Sequence, residues 1–120
     1  MAAHNELGKW GEDLAVAYLQ EKGYQLIERD WKSGRRDIDI IARNEAGTIV
    51  FVEVKTRRSR VFGEPEESID FRKLQSLQLA INHYIKFRHI NNDVRFDIIS
   101  IVGTIGSEAE INHIKDVALI

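Results

Sequence analysis

Apolar and polar positions alternate along the chain in two periods, one suited to helices and one to strands. From about His4 to Lys22, Leu7, Trp10, Leu14, Ala17 and Tyr18 recur at helical spacing and predict an amphipathic helix that Gly23 stops. Tyr24 to Trp31 alternates as a first strand, and Glu28-Arg29-Asp30 near its end implies partial exposure. The stretches Arg36–Ile41 and Val50–Lys55 then predict a hairpin, joined by Asn44-Glu45-Ala46-Gly47-Thr48 with Gly47 left-handed. A second long helix is predicted from about Ser68 to Phe87 or Arg88, with Leu74, Leu77, Ile81, Tyr84 and Ile85 toward the sheet. Val94 to Val102 reads as a buried strand, and the alternation from Ile111 to Asp116 as a short edge strand. The order αβββαβ(β) predicts an α/β fold with a mixed sheet flanked by helices, in one domain over residues 1–120.

The hairpin carries the candidate chemistry. Strict alternation puts Asp37, Asp39 and Ile41 on one face of its first strand, and Phe51, Glu53 and Lys55 on one face of its second. If Asn44 faces Thr48, Asp39 faces Glu53 and Asp37 faces Lys55. Two carboxylates across from each other cost stability unless something compensates, and a divalent cation would. Magnesium prefers oxygen ligands, commonly one or two carboxylates with water and substrate phosphate in the remaining positions, and manganese is its usual substitute. Lys55 could then orient an attacking water or neutralise charge on a phosphoryl oxygen. A surface hairpin with solvated charges is the alternative for any one of these residues.

Charge distribution changes the picture more than composition does. The 120 residues are 43% hydrophobic and 30% charged, with a formal net charge of −2, the profile of an ordinary globular protein. The total speaks against a basic nucleic-acid binder, but Lys32, Arg35, Arg36 and Arg43 surround the first hairpin strand, and Lys55, Arg57, Arg58 and Arg60 crowd the end of the second. With no cysteine there is neither a disulfide framework nor a thiolate metal site, and the four histidines lack a metal-binding spacing. No apolar run reaches membrane-spanning length and the first residues do not begin a signal peptide, so a cytoplasmic protein is expected. The stretch 59–66 reads as a loop at the mouth of the site, where Phe62 either stacks on a base or tucks into the core. Arg95 and Asp97 share a strand face and are expected to form a structural ion pair.

An Asp on one strand followed by Glu-Val-Lys on the next resembles the signature of the PD-(D/E)XK nuclease superfamily, the restriction-endonuclease-like fold of archaeal Holliday-junction resolvases. More narrowly, Gly8-Lys9-Trp10-Gly11-Glu12, Asp37-Ile38-Asp39, Phe51-Val52-Glu53-Val54-Lys55-Thr56-Arg57 and Arg95-Phe96-Asp97 together resemble the YraN-like family of small bacterial proteins. Asp37 departs from the Glu expected there. The resemblance implies Asp39, Glu53 and Lys55 as catalytic residues, with Glu12 of the first helix completing the Mg²⁺ site beside Asp39 and Glu53. It also implies DNA as the partner, with Arg36, Arg57, Arg58, Arg60 and Lys73 as phosphate contacts, and a homodimer where two strands are cut symmetrically. Two further readings stay open: a nucleic-acid-binding module on the same fold without turnover, and a protein-interaction domain whose carboxylates are surface charges.

Overall fold

A computed structural model describes residues 2–119, and side chains from Glu6 onward. Its elements are α1 (Ala2–Glu21), β1 (Gln25–Ser33), β2 (Arg36–Arg43), β3 (Ile49–Arg57), a 3₁₀ turn η1 (Pro65–Ser68), α2 (Phe71–Phe87), β4 (Val94–Val102) and β5 (Glu110–Ile114). The strands form one sheet in chain order, antiparallel except for the parallel pair β3 and β4 that α2 connects. This is the expected mixed sheet in an α/β fold, with β1 and β5 at its edges. No helix among the described residues is long and apolar enough to cross a membrane.

Local chemistry sets the element boundaries. Gly23, at φ +93°, ends α1: its N–H reaches the Gln20 carbonyl, and the Tyr24 N–H reaches the Leu19 carbonyl, a Schellman closure that only a left-handed residue permits. The β2–β3 turn has Gly47 at φ +90° and the Asn44 side chain accepting from the Thr48 N–H at 2.9 Å. The resulting register pairs Arg43 with Ile49 and Ile40 with Val52. The helix expected from Ser68 begins later, at Phe71, because the Asp70 side chain caps it by accepting from the Lys73 N–H.

The sheet buries a different apolar set on each face. Under α2 lie Ile38, Ile41, Phe51, Phe96 and Ile98, packed by Leu77, Ala80, Ile81 and Tyr84. Under α1 lie Ile40, Ala42, Val50, Val52, Ile99 and Ile101, packed by Ala15, Val16 and Leu19. Each fully covered Ile, Leu or Phe stabilises the fold by roughly 1.5–3 kcal/mol relative to exposure.

Two expectations are corrected here. The buried face of α1 is Gly11, Ala15, Val16 and Leu19, whereas Ala17 of the expected stripe is exposed and Trp10, Leu14 and Tyr18 flank the contact. Small residues win because they bring the helix axis closer: a Cβ on Gly11 would sit 2.0 Å from Thr56 Oγ1 of β3. Strict alternation along β2 also fails, since Ile38 lies under α2 with Ile41 while Ile40 and Ala42 lie under α1. The side-chain phase slips at Asp39.

Candidate metal and active site

That slip builds the site. The β2–β3 ladder ends at the pair of Ile40 with Val52, one residue short of the expected facing of Asp39 and Glu53. In a continuing ladder the Val54 N–H would go to Ile38; instead it donates to Asp39 Oδ2 at 2.9 Å. On the other side of β2, the β1 ladder pairs Arg29 with Ile40 and Trp31 with Ile38, and the rung between them, Asp30 with Asp39, is not formed. Asp30 stands at φ +50°, a left-handed conformation in mid-strand that Asp tolerates better than most residues. An outlier of that kind persists only where its surroundings enforce it.

The opened strands let groups from both layers of the fold meet in a cavity of about 480 Å³, lined among others by Glu12, Asp37, Asp39, Glu53, Lys55 and Lys73. Glu12 comes from α1, where the Gly11–Thr56 approach carries it against β3. Arg29 of β1 holds one of its oxygens through two hydrogen bonds of 3.0 and 3.1 Å, and also pairs with Asp13 at 2.8 Å. Oxygens of Glu12, Asp30 and Asp39 all lie within 4.8 Å of one another. Lys73 comes from the first turn of α2, its ammonium 3.4 Å from Glu53 Oε2 and 3.9 Å from Asp37.

Glu53 is 2% exposed, and its two oxygens fare differently. Oε2 is shared by Lys55 at 3.2 Å and Lys73 at 3.4 Å, while Oε1 is buried with no hydrogen-bond partner among the described residues. A buried carboxylate oxygen without a donor carries a full desolvation penalty. Burial, then the neighbouring Glu53 charge, push the Asp39 carboxyl up from 3.8 to about 8, against the lowering effect of the Val54 N–H. Burial likewise raises Glu12, against its Arg29 hydrogen bonds. Converging carboxyl groups, one of them raised to about 8 by burial and its neighbour, form a donor set suited to a hard divalent cation.

Of the expected catalytic residues, Asp39, Glu53, Lys55 and Glu12 all line this cavity. Among the expected phosphate contacts, Arg57 and Lys73 line it as well. Arg36, paired with Ser33 at the turn of the β1–β2 hairpin, is not among the cavity's lining residues although its neighbour Asp37 is, and exposed Arg58 lies just beyond Arg57. Arg60 is bound to Glu64 at 2.8 Å and Glu110 at 2.5 Å and is not among the cavity's lining residues. Asp37, half-exposed between Lys32 at 3.6 Å and Lys73, sits at the rim rather than within the acidic trio. Sequence reasoning missed Asp30 and Arg29; the available signal was the charged triplet interrupting β1, which alternation reads simply as exposure.

Away from this cavity, Asp97 is fully buried and satisfied. It accepts two bonds of 2.8 Å from Arg95, one of 2.6 Å from His113 and one of 3.0 Å from the Asp116 N–H. Burial alone would raise this carboxyl, yet the His113, Arg95 and backbone bonds bring it down to about 2. The expected Arg95–Asp97 ion pair is therefore present and structural.

The model of the family described as "Uncharacterised protein family UPF0102" matches residues 11–101. The chain belongs to this family. A UPF0102 protein of Bacteroides thetaiotaomicron is 47% identical over 116 residues, covering 97% of this chain and 94% of the relative. Others, from Flavobacterium psychrophilum and Porphyromonas gingivalis, are 44% and 41% identical, covering 97% and 94% of this chain and 96% and 84% of their own lengths. Membership in UPF0102 agrees with the YraN-like resemblance. Among solved structures, "Structure of EndoMS-dsDNA2 complex" is similar with a TM-score of 0.41 and 20% identity, over 63% of this chain and 27% of that one.

Proposed function

We propose that this UPF0102 protein is a metal-dependent endonuclease of the PD-(D/E)XK type that hydrolyses phosphodiester bonds in DNA, with branched or junction DNA of repair and recombination as its substrate. The observation that carries this reading is the meeting of Glu12, Asp39, Glu53 and Lys55 in one cavity, where Glu53 Oε1 is buried with no hydrogen-bond partner among the described residues. Glu12, Asp39 and Glu53, which line the cavity together, would hold Mg²⁺ or Mn²⁺, and Asp30 lies within 4.8 Å of the Glu12 and Asp39 oxygens. When bound, the cation would supply Lewis acidity and a lowered pKa for coordinated water.

The protein's own groups account for the rest. Lys55 and Lys73 hold Glu53 Oε2 from one side, which keeps Oε1 turned away from them and leaves two ammonium groups beside the cavity to meet a phosphoryl oxygen. Arg29 fixes the Glu12 carboxylate, and the Val54 N–H fixes Asp39, so the acids are oriented before any ligand arrives. Arg57 at the cavity wall and Arg58 beyond it can take backbone phosphates of the substrate. One such site nicks one strand; two copies related by a two-fold axis would cut both symmetrically.

The test is cleavage of a labelled panel (four-way junction, flap, nicked duplex, continuous duplex, single strand) with Mg²⁺ or Mn²⁺. Cutting that vanishes in Lys55→Ala supports the reading. Binding without cutting moves the function to a module without turnover, and neither binding nor cutting overturns it.

A further inference from the structure

Between β3 and η1 the chain makes a turn with an unusual surface. Phe62 is 96% exposed and Val61 77% exposed, so the aromatic that could have tucked into the core stands in solvent. The turn is nevertheless held. The Gly63 N–H bonds back to the Arg60 carbonyl at 3.0 Å, with Gly63 at φ +103°. Arg60 ties the base of the turn to Glu64 and to Glu110 of β5, and the Glu64 N–H is taken by the Glu67 carboxylate at 2.5 Å. A stapled base and two apolar side chains at the tip describe a presented feature.

Its place in the fold says what it is presented to. The residues that bracket the segment, Arg57 and Ser68, both line the acidic cavity. Phe62 lies five positions after Arg57, at most about 17 Å of chain and therefore a few nucleotides of DNA. The segment begins with the exposed arginines Arg57 and Arg58, so cationic phosphate contacts and an apolar tip adjoin each other. Aromatic rings stack on bases of any sequence, and apolar side chains wedge between base steps where stacking is already weak.

Resting on the nuclease reading of the cavity, we infer that the Val61–Phe62 tip is a wedge that takes the place of a stacked base, so that the site selects DNA whose stack is interrupted at a branch, flap or nick. Phe62 supplies the stacking face, Val61 fills the space beside it, and the neighbouring arginines hold the backbone that leads to the acids. Continuous duplex offers the tip no opening and must be unstacked at its own cost.

The experiment places 2-aminopurine beside the branch of a junction and in a continuous duplex of equal length, with Ca²⁺ in place of Mg²⁺. The wild-type protein is expected to raise the fluorescence of the junction on binding and to bind it at least about tenfold more tightly than duplex, a difference of the size one stacked base supplies. Phe62→Ala should lose both the fluorescence rise and the preference, and Phe62→Trp should restore them; because Phe62 is exposed, the melting temperature checks that each variant folds. A preference that survives Phe62→Ala overturns the wedge. So does Lys55-dependent cutting of continuous duplex as fast as junction, although the nuclease reading then stands. Absence of DNA binding overturns both, and loss of binding to anionic vesicles alone in Phe62→Ala would assign the tip to a membrane surface instead.

Discussion

Replacing Asp39 with Asn should make the metal-free protein more stable at alkaline pH. The Asp39 carboxyl is pushed up to about 8 in the fold by burial and by Glu53, from an ordinary value of 3.8. Between those values the native state keeps a proton that the unfolded state has lost, so stability present below about pH 4 is lost as pH rises through 8. The distance from 3.8 to about 8, at about 1.4 kcal/mol per pH unit, gives a ceiling of about 6 kcal/mol. Water entry and relaxation around the buried group reduce this, and a fall of about 2 kcal/mol is expected. Asn removes the titration, and its Oδ1 can still accept from the Val54 N–H. Chemical denaturation in EDTA at pH 5 and pH 8 measures both proteins. The variant should exceed the wild type only slightly at pH 5 and by about 2 kcal/mol at pH 8. Added Mg²⁺ should restore the wild type but leave the variant unmoved. A wild-type stability that is flat across this range, with Asp39→Asn less stable at both pH values, would refute the reasoning and make Asp39 a structural residue.

Gly11→Ala places a Cβ 2.0 Å from Thr56 Oγ1, so α1 must shift; about 1–3 kcal/mol of stability should be lost in denaturant melts, with Mn²⁺ affinity falling as Glu12 moves, and Thr56→Ala should partly rescue both. Asp97→Asn should cost about 3 kcal/mol at neutral pH, because it leaves Arg95 and His113 without their shared acceptor. Asp97 is held at about 2, so its contribution is present above about pH 4 and is lost as pH falls through 2; acid unfolding curves of wild type and variant should converge there. Replacing Arg57 and Arg58 with Ala should flatten the salt dependence of DNA binding by roughly one phosphate each, and an unchanged slope would remove them from the binding surface.

The element order, the β2–β3 turn and the nearness of Asp39, Glu53 and Lys55 were legible because each is a local pattern: a glycine at a left-handed position, an apolar period, charges alternating on a strand; Glu12 was reached through the family resemblance. The α1 face was not. Leu7 and Ala17 look as apolar as Ala15, and only the closeness of Thr56 to Gly11 decides which side of the helix turns inward. The centre of the site was legible in part, since alternation brings Asp39 and Glu53 together but presumes an unbroken ladder. The break arises from two strands at once, with Asp30 left-handed on β1 and Asp39 bonding the β3 backbone, and no period within a single strand encodes it. Lys73 gave a faint signal, a lysine early in a helix, whose meaning comes from α2 crossing the sheet beside Glu53.

The central claim is that the acids meet in order to hold a cation, and isothermal titration of the metal-free protein with Mn²⁺ tests it most directly. At neutral pH the wild type should bind and release a proton, seen as a heat that varies with buffer ionisation enthalpy, because Asp39 must ionise as the ion enters. Glu53→Gln should abolish that binding. A wild type that takes up no Mn²⁺ at millimolar concentration, or a Glu53→Gln variant that binds as well, would contradict the account.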